Sequence, residues 1–348
     1  MKYILLTDIH FGCKGNSDEF NQQCLNFLQF VQDYIDENLS NEEILPIFLG
    51  DWFHNRNTIN VKTLNYGIEG LRIFDNLGNQ EYSMLIVGNH DLYYKDRRDV
   101  YSPLNPDGDA RINIIDEPLF LDNEIVGGHK CLFVPWLLSN EDVRDLIQEY
   151  NPEYVFGHFE FPSFKLNNMI SMDGEFNPAD YNNVKRIFSG HFHIRQSKNN
   201  INYIGNCFSH DFSDSNEWHN KGFAIFDPDE NEIEYVEWVD APKYCICRAS
   251  DLNKMEIGSN MKLKLINNVG LEPKVLNQIQ EELLALPQIK ECLWYPENMV
   301  IQDNDKQIDL TNIPDVNIMI GKMLSEMDMK NVNNNKLINI YNNLDEGK

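Results

Sequence analysis

Residues 3–10 read Tyr3-Ile4-Leu5-Leu6-Thr7-Asp8-Ile9-His10, an apolar run that ends in a carboxylate and an imidazole. The arrangement recurs along the chain. Ile44–Leu49 runs into Gly50-Asp51, Ser83–Val87 into Gly88-Asn89-His90-Asp91, Tyr154–Phe156 into Gly157-His158, and Arg186–Phe188 into Gly190-His191-Phe192-His193. A further run, Cys131–Val134, leads into Pro135-Trp136. The runs are short and rich in β-forming residues, as buried strands are. Between the first two, Phe20, Cys24, Phe27, Leu28, Val31 and Ile35 recur at spacings of three and four, one face of a helix. Strand, helix and strand in alternation predict βαβ units and an α/β fold with helix-covered sheets.

Farther along, Gly222–Phe226 and Ile233–Trp238 flank Asp227-Pro228-Asp229-Glu230-Asn231, turn composition that predicts a hairpin. Around Val239–Pro242 the motif-like loops stop. A strand (Met261–Ile266), a helix (Glu272–Leu286) and a strand (Ile289–Trp294) then read as a small α+β unit. Cys245 and Cys247 are separated by one residue, not two, and are read as alternate positions of a strand. Beyond Pro296 the chain is polar, with seven Asn between Asn331 and Asn343. Two amphipathic stretches stand out there: Val316, Ile320, Met323, Leu324 and Met327 share one helical face, and Leu337, Ile340, Tyr341 and Leu344 another. The expected division is a main domain over 1–240, a small α+β capping domain over 241–298, and a linker with a helix-loop-helix over 299–348. That helical tail either packs on the body or is offered to a partner.

The 348 residues suit one large domain with a smaller appendage. Lys and Arg number 29 against 55 Asp and Glu, a formal net charge of -26. This balance argues against a protein that coats nucleic acid or rides on anionic lipid. It does not exclude a nucleic-acid enzyme that recruits cations to a metal site. The N-terminal residues lack the basic region and longer apolar run of a signal peptide. No apolar stretch approaches the roughly 20 residues that span a bilayer. Seven scattered cysteines suit free thiols in a reducing cytosol, so the expected location is cytoplasmic.

Five polar clusters thus follow five predicted strands, at the ends where open α/β sheets bind ligands. Asp, Asn and His suit divalent transition metals. Asp8-x-His10 can place both side chains on one side of the chain and chelate one ion. His191-x-His193 can do the same, or send one imidazole to each of two ions. The preceding glycines let the backbone turn sharply where a strand meets the metal. Two ions about 3.5–4 Å apart lower the pKa of a bridging water and clamp both oxygens of a phosphate ester. Asp, Asn and Gly are ordinary loop residues, and a lone buried His is more often a core residue than a ligand. Yet six of the nine histidines, His10, His54, His90, His158, His191 and His193, lie in or beside these clusters. His129, His210 and His219 are read as loop residues.

In this order, D-x-H, G-D, G-N-H-D, a lone H and G-H-x-H resemble the calcineurin-like metallophosphoesterase superfamily, over residues 1 to about 195. Pro135-Trp136, Tyr203-Ile204-Gly205 and Lys221-Gly222-Phe223 resemble, more narrowly, the SbcD-type nuclease subunits of break repair. Length and layout look most like their phage recombination-endonuclease members. The resemblance implies a two-sheet α/β/β/α sandwich with a small capping domain and a helical C-terminal tail. It implies that Asp8, His10 and His193 bind one ion, that Asn89, His158 and His191 bind the other, and that Asp51 bridges. His90 would not be a ligand. It would face the scissile phosphate and help protonate the leaving oxygen, with Asp91 as its orienting partner. Two manganese ions are the implied cofactor, with magnesium or another divalent metal as alternatives. The implied activities are 3′-to-5′ exonuclease on duplex DNA and endonuclease on single strands. The implied partners are DNA, a second copy of the chain, and an SbcC-type SMC-like ATPase docked through the C-terminal helices.

One position departs from the pattern. The family often carries a second Asp where this chain has His54, in Gly50-Asp51-Trp52-Phe53-His54. His54 is read either as a substrate contact or as a plain loop residue. Next to Asp91, Tyr93, Tyr94, Lys95, Arg97 and Arg98 place cations and stacking rings beside the expected metals. They are read as a DNA path, against the plainer reading of a solvated loop. Two rival functions are a stand-alone phosphoesterase on a small or protein substrate, and a binding subunit with a decayed metal site. The complete ligand set argues against the second.

Overall fold

The computed structural model describes residues 1–78, 82–102, 111–137, 139–165, 178–215 and 218–297. Met1–Trp294 forms one compact unit; Tyr295–Lys348 is a second, and only its first three residues fall in the described set. The C-terminal amphipathic stretches therefore lie outside the described residues.

The first half of the chain lays down β1 (Lys2–Leu6), the single turn α1 (Cys13–Asn16), helix α2 (Asp18–Asn38), β2 (Ile44–Phe48), helix α3 (Val61–Asn76), β3 (Ser83–Ile86) and β4 (Ile112–Ile115). These four strands run parallel in the order given. The chain then builds a second sheet: β5 (Leu119–Leu121), β6 (Cys131–Val134), helix α4 (Asn140–Tyr150), β7 (Tyr154–His158), β8 (Arg186–Gly190), β9 (Gln196–Lys198) and β10 (Ile201–Tyr203), in spatial order β5-β6-β7-β8-β10-β9. It finally returns to the first sheet, where β11 (Gly222–Asp227) pairs antiparallel with β1, and β12 (Glu232–Glu237) pairs with β11 as the hairpin predicted.

Strand alternation makes a sandwich of these two sheets. In β1, Ile4 and Leu6 face α2 in a core with Phe27, Leu28 and Val31, while Tyr3 and Leu5 face the other sheet. Between the sheets, Tyr3, Phe133, Phe156, Phe188 and Phe226 share one buried core. Phe156 lies edge-on to Tyr3 at 5.7 Å and stacks on Phe188 at 5.5 Å. On the far side of the second sheet, Leu132, Val155 and Ile187 bury against Val143 and Ile147 of α4. The layers are α/β/β/α, as the resemblance implies. The helix α2 starts where Ser17 Oγ accepts the Phe20 N–H, and its six apolar positions are all buried.

The remaining strands, β13 (Lys243–Arg248), β14 (Met261–Asn267) and β15 (Ile289–Pro296), form a three-stranded sheet, with helix α5 (Pro273–Leu284) between the last two in sequence. Cys245 and Cys247 point into its small core with Leu263 and Leu265, at alternate strand positions. Among the described residues no helix is long and apolar enough to cross a membrane.

Candidate metal centre

The carboxyl ends of β1, β2, β3, β7 and β8 meet at one edge of the sandwich. Register brings them level: Leu6 pairs with Phe48, and His158 with Gly190. Just past the strands, the Asp8 N–H bonds to the Gly50 carbonyl at 3.0 Å and the His10 N–H to the Asp51 carbonyl at 3.2 Å. Asp8 (φ 51°), His10 (φ 54°), Asp51 (φ 64°) and His191 (φ 84°) all hold left-handed backbone. That conformation is costly for residues with a Cβ and clusters at functional sites. Four of the seven expected ligands therefore stand on strained backbone.

The first donor group is Asp8, His10, Asp51 and His193. Asp8 is fully buried, and its Oδ2 accepts the Thr7 hydroxyl at 2.5 Å and the His191 N–H at 3.0 Å. Its Oδ1 has no hydrogen-bond partner, and neither has either ring nitrogen of the buried His10. Oδ1 instead lies 3.7 Å from His10 Nε2 and 3.7 Å from His193 Nε2. That is too long for a direct hydrogen bond. It suits donors that each stand about 2.0–2.2 Å from a shared ion.

The second group converges on Asn89. His158 Nε2 faces Asn89 Oδ1 at 2.9 Å, and His191 Nδ1 faces the same oxygen at 3.0 Å. His158 Nδ1 donates to the Leu49 carbonyl at 2.7 Å. That bond fixes the ring and turns Nε2 toward the site, the usual outer support of a metal-binding imidazole. Asp51 stands between the groups: Oδ2 is 3.6 Å from His10 Nε2 and 3.5 Å from His158 Nε2, while Oδ1 accepts the His90 N–H at 2.8 Å. Orphaned buried atoms of Asp8 and His10, within an Asp, Asn and His donor set, fit binding of divalent metal.

The buried carboxylates and imidazoles set one another's charge. Burial works against ionisation of Asp8 and Asp51, yet the surrounding imidazoles hold both carboxyls well below the ordinary range. Burial disfavours the charged form of His158, but the Asp51 carboxylate overrides it and raises the ring to about 9. Burial, with His10 and His90 nearby, pushes His54 down to about 4.

His90 lies beside both groups, its ring 4.8 Å from that of His10. Its Nδ1 donates to the His54 carbonyl at 2.7 Å. The Asp91 carboxylate does not bond this ring, contrary to what the resemblance implies. The Asp91 carboxylate accepts four backbone N–H groups instead, from Gly88, Asp51, Trp52 and Phe53, at 2.9–3.2 Å. A residue that follows His90 at a tight turn points to the other side of the chain, so it supports the loops and not the ring. His54 is no plain loop residue: its ring stacks on His90 at 5.4 Å and lies 5.4 Å from His10.

The Tyr93–Arg98 segment sits on a loop rooted at Asp91, whose carbonyl accepts the Ser102 N–H, with Leu92 bridged to Tyr101. Tyr93, Lys95 and Arg97 are exposed. Arg97 lies 3.6 Å over the Tyr94 ring and pairs with Asp99, and Arg98 pairs with Glu117. His129 and His219 are surface residues that face Asp229 and Glu256. His210 lies on a loop, as the sequence suggests, but is buried there against His10 and His193. Behind it stand Asp214, which no sequence motif marks, and Lys221 of the Lys221-Gly222-Phe223 motif. A signal is present: Gly205-Asn206 follows the apolar end of β10, which lies parallel to β8. A strand of three residues was too short to be read.

A water-accessible cavity of about 310 Å³, lined by His10, Asp51, His54, His90, His193 and His210 among others, opens over the centre. Exonuclease subunit 1 of Enterobacteria phage T4 is 26% identical over 247 residues, which is 68% of this chain and 67% of that protein. Among solved structures, the calcineurin-like phosphoesterase YfkN from Bacillus subtilis is 11% identical, covering 68% of this chain and 88% of its own, at a TM-score of 0.34. A protein from Aquifex aeolicus is 19% identical, covering 46% and 80%, at a TM-score of 0.26. The family model for calcineurin-like phosphoesterases matches residues 1–195, the part of the chain that supplies all seven expected metal ligands. With more than half of its length in that match, and with the strand-end donors gathered as two groups around Asp51, the chain belongs to the calcineurin-like phosphoesterase family.

Proposed function

We propose that the protein is a two-metal DNA nuclease subunit that hydrolyses phosphodiester bonds, with manganese as its working metal. The observation that carries this reading is the position of Asp51 Oδ2, about midway between a nitrogen of each donor group. Asp8, His10 and His193 would hold one ion, Asn89, His158 and His191 the other, with Asp51 shared. When bound, such a pair supplies an activated water and a clamp on the phosphate oxygens. The residues of the chain do the rest. Thr7 and the His191 N–H hold one oxygen of Asp8 and leave the other for the site. Leu49 fixes the His158 ring. The His54 carbonyl accepts the His90 Nδ1–H, so Nε2 is the nitrogen that would meet the phosphate and, in the imidazolium form, give its proton to the leaving oxygen.

DNA as substrate is supported by the similarity to a phage exonuclease subunit and by the exposed Tyr93–Arg98 loop. Expected activities are 3′-to-5′ exonuclease on duplex and endonuclease on single strands. A chain of formal net charge -26 disfavours tight binding of DNA by itself. We therefore infer that it works as a homodimer with an SbcC-type ATPase in the cytosol, and that residues 312–348 dock on that partner.

The test is purified protein with Mn²⁺ against labelled duplex DNA, single-stranded DNA and an aryl phosphodiester. Cleavage of DNA supports the reading. Turnover of the small ester with no DNA cleavage would replace it with a stand-alone phosphodiesterase.

A further inference from the structure

His210 has no role in the two donor groups, yet it is built into the site. It is 4% exposed, and its Nε2 is buried without a hydrogen-bond partner. Its ring stands 5.3 Å from that of His10 and 5.1 Å from that of His193, nearly perpendicular to both. One ligand nitrogen from each of the three imidazoles lies within 4.8 Å of the others. On its outer side the ring packs on Phe20 at 5.2 Å and Phe208 at 5.3 Å, which offer no polar partner.

A second feature holds this geometry in place. Asp214 Oδ2 accepts the backbone N–H of His210 at 2.8 Å and the side-chain amide of Asn206 at 3.1 Å. Its Oδ1 lies 3.8 Å from His193 Nδ1 and 3.8 Å from Lys221 Nζ. Lys221 in turn donates to the His193 carbonyl at 2.8 Å and to Asn206 Oδ1. One buried carboxylate thus holds the His210 backbone and faces the outer ring nitrogen of His193. A carboxylate behind the outer nitrogen of His193 stands where metal-binding imidazoles find their support.

We propose that His210 supplies a third imidazole to the ion held by Asp8, His10 and His193, making this half of the centre nitrogen-rich. A third nitrogen favours transition metals over Mg²⁺, which prefers oxygen ligands and water. The further role of this half of the centre is therefore metal discrimination. The inference rests on the two-metal reading above but not on DNA as the substrate.

The test measures metal binding directly. Mn²⁺ titration followed by electron paramagnetic resonance gives the affinity of each site, and Co²⁺ reports ligand number through its visible absorption. His210→Phe keeps an apolar ring between Phe20 and Phe208 and removes the donor; His210→Gly leaves space for added imidazole. Both variants are expected to bind one of the two Mn²⁺ ions about 10- to 100-fold more weakly, with the other unchanged. Preference for Mn²⁺ over Mg²⁺ should narrow, and imidazole should restore His210→Gly. Two Mn²⁺ affinities and a Co²⁺ spectrum unchanged in folded His210→Phe would overturn the role of His210 alone. Wild-type protein that binds no Mn²⁺ would overturn the metal-centre reading itself.

Discussion

The carboxylate of Asp91 accepts the backbone N–H of Asp51 at 2.9 Å, tying the turn after β3 to the residue shared by both donor groups. Three more N–H groups, from Gly88, Trp52 and Phe53, end on the same fully buried carboxylate. Asp91→Ala leaves four buried donors without an acceptor. Each such donor costs about 1–3 kcal/mol, less what an entering water recovers. We expect a loss of about 3–5 kcal/mol, read as a fall in Tm of about 6–10 °C by calorimetry. Bound metal should fall with it. An Asp91→Ala protein of unchanged Tm and full metal content that nevertheless fails to cleave would restore Asp91 as the orienting partner of His90.

What the sequence disclosed follows from which interactions are local. The strand ends are legible because each carries its own marker: an apolar run of three to six residues and then Asp, Asn or His. The face of α2 was legible because Phe20 to Ile35 repeats at helical spacing. The division into two sheets was not written in that rhythm, which came only with the family resemblance. It depends on β11 returning to pair with β1, Phe226 beside Tyr3, across more than two hundred residues. The short strands β5, β9 and β10 have three residues each and no legible period. His210 was missed along with β10. The orienting role of Asp91 came only with the family resemblance, and a strand-end turn puts its carboxylate on backbone N–H groups, away from the His90 ring.

His90 and Asp51 should separate cleanly. His90 contributes its backbone N–H to Asp51 but lies outside the two donor groups, so His90→Ala keeps two metals per chain. Loss of a positioned acid typically costs 10²- to 10⁴-fold in rate. Asp51→Ala removes the oxygen facing both groups and should lose metal as well as activity. Metal content by mass spectrometry, set beside the turnover of a labelled substrate, distinguishes them. A His90→Ala enzyme within a few-fold of wild type would show that the ring does not take part.

Gly50 has φ +105°, and a Cβ there would stand 2.4 Å from His158 Nδ1 and 2.9 Å from the Gly88 backbone. Gly50→Ala therefore has to displace the His158 ring from the Leu49 carbonyl. Backbone strain of about 1–3 kcal/mol adds to overpacking of similar size. The expected protein is folded, less stable, and short of one metal on the Asn89 side. Normal Mn²⁺ stoichiometry with normal Tm would show that the loop relaxes without disturbing His158.

Metal binding should stabilise the fold in proportion to its saturation. Asp8 Oδ1 and both His10 nitrogens are buried with no partner in the protein, a cost that a bound cation relieves only in the native state. Linkage gives about 2.7 kcal/mol for one site at a hundred times its Kd. Tm should climb steadily with the logarithm of Mn²⁺ concentration and fall back on chelation. Asp8→Asn should flatten that slope. A Tm indifferent to Mn²⁺ across the range that supports activity would mean that the ligands are not preformed as described.

Lys221 offers the sharpest separation of stability from chemistry, because it touches no expected substrate position. It is 2% exposed, pairs with Asp214, and reaches the His193 carbonyl. Removing one member of a buried pair leaves the other charge uncompensated, at about 3–5 kcal/mol. Lys221→Met should therefore unfold at a clearly lower temperature. Replacing both charges, Lys221→Met with Asp214→Leu, removes the stranded carboxylate and should recover part of the Tm. The double variant also frees the His193 ring and the His210 backbone from their shared anchor. It should stay weak in Mn²⁺ binding even where its stability returns. Recovery of Mn²⁺ affinity together with Tm would mean that packing alone positions the two imidazoles, and that Asp214 is dispensable to the centre.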